Sequence, residues 1–304
     1  MHIMNRKFLE PSDYPTLKSS FERQPFNLSI YSLSSLIAWN DGPIKTYYAF
    51  DRDLLLISSE STLQPEDRYL IIPLSGRGIL TPEELHDLAI DHGYREYRFV
   101  PGDYLDVMGR KKTDLWFDIT EQPEFEDYIY RTGDLAQLKG RHYVRKRNLI
   151  HQFMRDYHQH GRVTVEHLTA ANTGACMAFI EQWCRQRECD QNESLTCEKN
   201  ALVKTLLNME LIESKGIIVK IDGAVCALAI MSHLNERMGV LNFEKAFSTI
   251  RGLYQFLDNE CAKRLFAGYE FINKECDMNI AELAQSKKSY YPLQRIKSYR
   301  LTVR

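Results

Sequence analysis

The segment Val240-Leu-Asn-Phe-Glu-Lys-Ala-Phe-Ser-Thr-Ile-Arg-Gly-Leu-Tyr-Gln-Phe-Leu-Asp-Asn-Glu-Cys-Ala-Lys-Arg264 changes its period partway along. Val240, Leu241 and Phe243 read as the end of a strand, whereas Leu253, Phe256, Leu257, Cys261 and Leu265 fall on one helical face. Ser248 or Thr249 stands where an N-cap belongs, and Gly252 occupies the first turn. A strand that feeds a helix N-terminus leaves unpaired N–H groups and a partial positive charge, which suit a phosphate. Ser248, Thr249, Ile250, Arg251 and Gly252 are therefore the candidate anion-binding turn. At Gly252 a ligand or a neighbouring backbone can approach closely. An ordinary turn with Gly252 packed against the sheet is the competing reading.

The same order of elements occurs twice around this junction. In the first half, Tyr47–Phe50 and Leu54–Ile57 flank Asp51-Arg52-Asp53 as a hairpin, and Tyr69–Leu74 reads as a strand. Ser75-Gly76-Arg77-Gly78 is a turn, and Thr81-Pro82-Glu83-Glu84 is a capping box opening a helix that stops at Gly93. Tyr94–Val100 alternates as a strand. In the second half, Ile217–Ile221 and Ala224–Met231 flank Asp222-Gly223, a hairpin signal because both turn residues tolerate positive φ. The strand at Val240–Phe243, the Gly252 turn, a helix to Leu265 and the strand Tyr269–Asn273 follow. Hairpin turn to helix start is 30 residues in the first half (52 to 82) and 28 in the second (222 to 250). A duplicated α/β unit accounts for this most economically. The expected division is a unit at 1–133, a basic connecting helix at 134–161, and a second unit at 162–304. Helices are expected at 172–187, 196–211 and 280–288, with a last strand near Ile296–Val303.

The connecting helix follows a charge switch, from Glu121, Glu124, Glu126 and Asp127 to Lys139, Arg141, Arg145, Lys146, Arg147 and Arg155. On a continuous helix, Arg141, Arg145, Asn148, Gln152 and Arg155 share one face. Tyr143, Ile150, Met154 and Tyr157 occupy the opposite, burying side. A basic row suits phosphate groups on tRNA, a lipid head group or a cofactor; a solvated helix face is the plain alternative.

Composition narrows the class. Hydrophobic content of 44% and charged content of 26% suit a globular protein, and a net charge of −2 means any affinity for polyanions must be local. The longest apolar run, Ala224–Met231, is too short to span a bilayer, and the first residues lack the apolar core of a secretory signal. Seven scattered cysteines suit free thiols in a reducing cytoplasm. Cys184, Cys189 and Cys197, with four and seven residues between them, match no common zinc spacing, and His158-Gln-His160 is no stronger, so no metal is expected.

A strand running into a phosphate-binding turn, preceded by two helices and a hairpin, resembles the GNAT acyltransferase fold. Five phrases narrow the resemblance: Leu135–Asn148, Asn242-Phe-Glu-Lys-Ala, Ile250-Arg-Gly-Leu-Tyr, Ile272-Asn-Lys-Glu-Cys-Asp277 and Lys288-Ser-Tyr-Tyr-Pro292. They are similar to a bacterial family akin to the C-terminal domain of phosphatidylglycerol lysyltransferases, and more distantly to Fem-type aminoacyltransferases. The resemblance implies an α/β protein of two tandem GNAT-like units, with mixed sheets flanked by helices. It implies transfer of an acyl or aminoacyl group to an amine or hydroxyl, from aminoacyl-tRNA or acyl-CoA as co-substrate, with no tightly bound cofactor. The expected location is the cytoplasm, where the basic face would allow a peripheral visit to a phospholipid head group at the inner face of the membrane. The usual GNAT turn, Gln/Arg-x-x-Gly-x-Gly/Ala, is reduced here to Thr249-Ile-Arg-Gly252-Leu-Tyr254. That departure weakens the case for acyl-CoA and favours tRNA at Lys139, Arg141, Arg145 and Arg147.

Acyl transfer needs a proton acceptor, oxyanion donors and a proton for the leaving group. Glu244 is the candidate base, or else a surface carboxylate paired with Lys245 or Arg251. Tyr290 stands where GNAT enzymes often carry a tyrosine acid, or else closes the core with Tyr291. Asn273 and Asp277 are candidates to bind the acceptor or to cap a helix, and Asn242 to face the oxyanion or form a turn. No Ser-His-Asp or Cys-His pairing stands out. A non-catalytic binding protein that retains the scaffold is the alternative. Oligomeric state is not legible.

Overall fold

The computed structural model describes residues 6–40, 42–157 and 161–304. His158 and His160 thus lie outside the described residues.

The first part of the chain builds β1 (Lys7–Phe8), α1 (Tyr14–Glu22), α2 (Leu33–Ala38), β2 (Ile44–Asp51), β3 (Leu54–Ser61), β4 (Arg68–Leu70) and β5 (Leu74–Ser75). Next come α3 (Pro82–Asp91), β6 (Glu96–Pro101), α4 (Gly102–Met108), α5 (Arg110–Thr113) and β7 (Phe117–Glu121). The middle holds β8 (Asp127–Arg131), α6 (Thr132–Gln137) and α7 (Val144–Tyr157). The remainder is β9 (Val163–His167), α8 (Thr173–Gln186), α9 (Glu193–Asn208), β10 (Lys215–Ile221), β11 (Ala224–Asn235) and β12 (Met238–Ala246). It ends with α10 (Leu253–Arg264), β13 (Phe271–Asn273), α11 (Ala281–Lys288), β14 (Gln294–Ile296) and β15 (Ser298–Val303).

Local chemistry forms these elements as expected in several places. Thr81 and Glu84 make the reciprocal capping box of α3. The β10–β11 turn puts Asp222 and Gly223 at φ 52° and 82°, and Arg52 turns the β2–β3 hairpin at φ 56°. The expected strand at Tyr69–Leu74 is interrupted after Leu70, near Pro73, which has no N–H to give a ladder.

Two mixed sheets result, in the orders β1-β2-β3-β4-β6-β15-β7 and β14-β8-β13-β12-β11-β10-β9, with β5 paired on β3. Reversing the second list aligns the sheets position by position. Each has its parallel pair around a helix: β4 and β6 around α3, β12 and β13 around α10. The tandem arrangement is thus visible in topology. The sheets do not, however, follow the expected boundaries at 133 and 162. Strand β8 belongs to the second sheet and β15 to the first, so each half completes the other's sheet. Lys297 alone links β14 in one sheet to β15 in the other, and the chain from β7 to β8 makes the opposite crossing. Strand β8 is buried between both cores, with Ile129 in one and Tyr128 and Tyr130 in the other.

The single helix expected at 134–161 is two helices. Leu138 and Gly140 take φ of 49° and 91°, which breaks the run before a 3₁₀ turn at Arg141–Tyr143. The freed carbonyls of α6 are not left bare: Asn259 donates to Leu135 and Ala136 at 2.7 and 2.9 Å, and Arg147 donates to Leu138 and Gly140. Arg141 therefore does not share a helical face with Arg145. Cys184 and Cys189, expected as free thiols, form a disulfide. Glu188, at φ 52°, turns the chain back at the end of α8 so that the two sulfurs meet.

Gly252 explains how α7 is seated. It is the N-cap of α10 at φ 84°, and a Cβ there would lie 2.2 Å from the Leu149 carbonyl oxygen and 3.0 Å from the Phe153 Cβ. The close approach that glycine permits is that of the α7 backbone. Gly252→Ala is expected to cost about 3–5 kcal/mol, combining left-handed strain with overpacking. Urea unfolding measures this, and a loss below about 1 kcal/mol would contradict the packing account.

Candidate active site

Strands β12 and β13 pair only from Met238/Phe271 to Val240/Asn273. Beyond that point β12 continues to Ala246, and a bulge against β11 leaves Asn242 without an opposite residue. Such a bulge bends its strand and adds twist. Asn242 and Glu244 on one strand and Lys274 and Glu275 after the other stand where the two part.

Lys274 is the hub. Its ammonium lies 2.5 Å from Asp258 of α10 and 3.5 Å from Glu244. Burial works against the charge, but Asp258 and Glu244 together hold the Lys274 pKa above its ordinary value. Burial likewise pushes the Glu244 carboxyl up, from 4.5 to about 7, against the pull of Lys274 and with Asp258 adding repulsion. The second carboxylate oxygen of Asp258, Oδ2, is buried without a hydrogen-bond partner among the described residues. Tyr290 completes the group. Its ring has the Lys146 ammonium 3.6 Å and the Lys274 ammonium 4.9 Å from its centre. Burial, with Asp258 and Glu244 nearby, keeps its phenol protonated. Lys146 also donates to Ser289 Oγ at 2.7 Å. Burial lowers its pKa to about 8, opposed by Asp258.

The structure thus brings Glu244 and Tyr290 together and adds Lys274, Asp258 and Lys146. Lys274 lies within a phrase singled out in the sequence, and Lys146 within the basic run. Asp258 carried a weaker signal, a carboxylate on the buried side of a helix.

The other candidates do different work. Asn242 donates to Ser35 Oγ at 2.7 Å and to Glu275 at 3.2 Å, tying β12 to α2. Asn273 donates to Asn27 O and to Asp127. Asp277 accepts from the Tyr128 hydroxyl at 2.6 Å and from the Asn279 N–H. These side chains are committed to holding the two units and the turn before α11. Lys287 is half-buried, with its ammonium on the carbonyls of Lys274, Glu275 and Cys276. Burial pushes Glu275 up to about 8, partly offset by Lys287.

The expected anion turn is covered on one side. Ser248, Thr249 and Arg251 are exposed and Ile250 is half-buried, but Gly252 is buried under α7. Lys139, Arg141 and Arg145 are exposed, whereas Arg147 spends its guanidinium on carbonyls. Arg155 pairs with Asp156. Two cavities, of about 460 and 440 Å³, are lined by none of Glu244, Tyr290 or Gly252. Among the described residues no helix is long and apolar enough to cross a membrane, and no cluster of His, Cys, Asp and Glu is placed to hold a metal.

A family model described as "Phosphatidylglycerol lysyltransferase, C-terminal" matches residues 102–302. A conserved protein of unknown function from Bacteroides thetaiotaomicron is 24% identical, with a TM-score of 0.86 over 99% of this chain and 100% of its own. The C-terminal DUF2156 domain of a putative lysylphosphatidylglycerol synthetase from Agrobacterium fabrum is 14% identical, with a TM-score of 0.64 over 95% of this chain and 91% of its own. At these identities the likeness establishes the fold. No curated protein gives a significant sequence match.

Removing the hub tests the electrostatics. Lys274→Met leaves two carboxylates without their counter-charge, and a loss of about 3–5 kcal/mol is expected at pH 8. Glu244, already raised by burial, then loses the pull of Lys274 and lies further above its unfolded value, so stability is retained below the ordinary carboxylate range and lost as pH rises. Urea unfolding at pH 5 should show a smaller loss; equal losses at both pH values would refute the arrangement.

Proposed function

The chain belongs to the family of phosphatidylglycerol lysyltransferase C-terminal domains, and from that premise we propose that it transfers an acyl or aminoacyl group to an amine or hydroxyl. The observation that carries this reading is the convergence of Glu244, Asp258, Lys274, Lys146 and Tyr290 where β12 and β13 part.

In the proposed step, Glu244 accepts the acceptor's proton as its oxygen or nitrogen attacks the acyl carbonyl carbon. Lys274 keeps Glu244 ionised enough to do so. The oxyanion forms beside the Tyr290 hydroxyl, and when the tetrahedral centre collapses, the bond to the leaving oxygen or sulfur breaks. Tyr290 supplies the leaving group's proton, and the Lys146 ammonium over its ring stabilises the phenolate that results. Lys146 and Lys274 are positioning residues here, acting through Tyr290 and Glu244.

Aminoacyl-tRNA is the favoured donor. The turn that would cradle a coenzyme A pyrophosphate has α7 against its glycine, whereas Lys139, Arg141 and Arg145 remain exposed to phosphates. A phospholipid head group at the inner membrane face is the favoured acceptor, reached peripherally by a cytoplasmic protein. A second reading, binding without turnover, is favoured by one fact: the charge of Lys274 is already balanced by two carboxylates.

Transfer from lysyl-tRNA to vesicles containing phosphatidylglycerol separates the readings. Glu244→Gln should lower kcat by about 10²–10⁴-fold. Activity should rise as pH increases through about 7, where Glu244 loses its proton, and fall above about 8, where Lys146 loses its charge. Lys146→Met should remove the alkaline limb. Thermal stabilisation by tRNA with no product would favour binding alone. Charge reversal at Arg141 and Arg145 should weaken tRNA binding and reduce the salt dependence by about two phosphate contacts. Unchanged affinity would exclude this face.

A further inference from the structure

An apolar cavity of about 460 Å³ lies between the first sheet and α9, apart from the cluster around Lys274. One wall is a cross-strand row of Thr46, Ser59 and Tyr69 on β2, β3 and β4. The facing wall is α9, through Ser194, Cys197 and Ala201, and Trp39 after α2 also lines the space. Its size suits a small ligand.

Two features mark the space as built. Trp39 is 37% exposed although it stacks on Phe243 at 6.1 Å, leaving part of a large apolar ring open. Phe99, another lining residue, sits at φ 55°, a strained conformation for a bulky side chain. It is held there from several sides. Gln122 Oε1 accepts its N–H at 3.0 Å, and its ring meets Tyr69 and Phe125 edge-on at 5.7 and 4.8 Å. Strain of this kind persists only where the surroundings over-determine it, and it gathers at ligand sites.

Polar groups define the ligand. The Thr46 and Ser59 hydroxyls are 3.1 Å apart, and each retains hydrogen-bonding capacity. Glu193 is the only charged residue among the described ones lining the cavity. The neighbouring cations are committed: Arg98, over the Tyr69 ring, pairs with Asp67 and Glu96, and Lys245 pairs with Glu198. An anionic head would therefore meet a carboxylate and, among the described residues lining the cavity, no cation.

We propose that this cavity binds a single hydrocarbon chain of medium length with a hydroxyl or ammonium head. The chain lies against Trp39, Phe99 and Ala201, and the head reaches the hydroxyl row or Glu193. Binding here requires nothing of Glu244, so it stands or falls independently of the transfer chemistry.

The test titrates the full chain with 1-octanol, octylamine and octanoate, followed by calorimetry and by Trp39 fluorescence. Saturable one-to-one binding is expected for the alcohol and the amine, with octanoate at least tenfold weaker. Ser194→Trp, at an exposed position on the rim, should lower affinity tenfold or more without changing the melting temperature. Glu193→Lys should reverse the preference between amine and carboxylate, and Glu244→Gln should leave all three affinities unchanged. Absence of saturable binding by both alcohol and amine overturns the proposal. So does undiminished affinity in folded Ser194→Trp, or octanoate binding as tightly as octylamine.

Discussion

An ammonium group cannot be taken out of water alone, and Lys274 is almost entirely out of water. Its burial is tolerable because Asp258 and Glu244 arrive on either side of it. That meeting depends on three structural facts at once: the parting of β12 from β13, the seating of α10 beneath them, and α7 lying across α10. With Lys146 brought in by α7, two carboxylates and two ammonium groups surround one tyrosine. The arrangement is electrically balanced, yet Glu244 is held near neutrality by burial. A group in that state exchanges protons near physiological pH, as does the Lys146 ammonium beside it, lowered to about 8.

The cluster sits within a duplicated architecture. Each sheet is completed by a strand from the other half, and a single residue, Lys297, spans the crossing between β14 and β15. Neither unit is a contiguous stretch of chain, so neither is expected to fold in isolation. Asn242 and Asn273 reinforce the join with buried hydrogen bonds to Ser35, Asn27 and Asp127. Asparagine at these positions serves the interface because a buried polar group must find partners, and here Ser35 and Asn27 lie in the opposite unit, while Asp127 is on β8 of the sheet that holds Asn273. The cavity against Trp39 belongs to the same interface.

Several features were legible from local chemistry. The capping box at Thr81, the Asp222-Gly223 hairpin and the doubled order of elements depend on neighbours within a few residues, and all appear in the fold. Glu244 and Tyr290 were also singled out as a pair, and both stand beside Lys274. Less legible were the partners that give them their character. Asp258 on α10 and Lys274 just past β13 lie 16 residues apart, and only the packing of α10 against β11 and β12 brings them together. The continuous helix at 134–161 failed because Leu138 adopts a left-handed conformation that its residue type does not announce. Asn259, far along the chain, and Arg147, in the helix that follows, supply the hydrogen bonds that stabilise the break.

The amino-acid sequence by itself determined the class of fold, the positions of most helices and hairpins, and the family, because these follow from periodicity, caps and short phrases. Tertiary structure alone decided which strand completes which sheet, and whether Gly252 faces a ligand or a helix. It also decided which of many charged residues would be buried together. Those outcomes turn on contacts between segments far apart in the chain, where desolvation and charge pairing are settled by proximity in space and leave no local pattern to read.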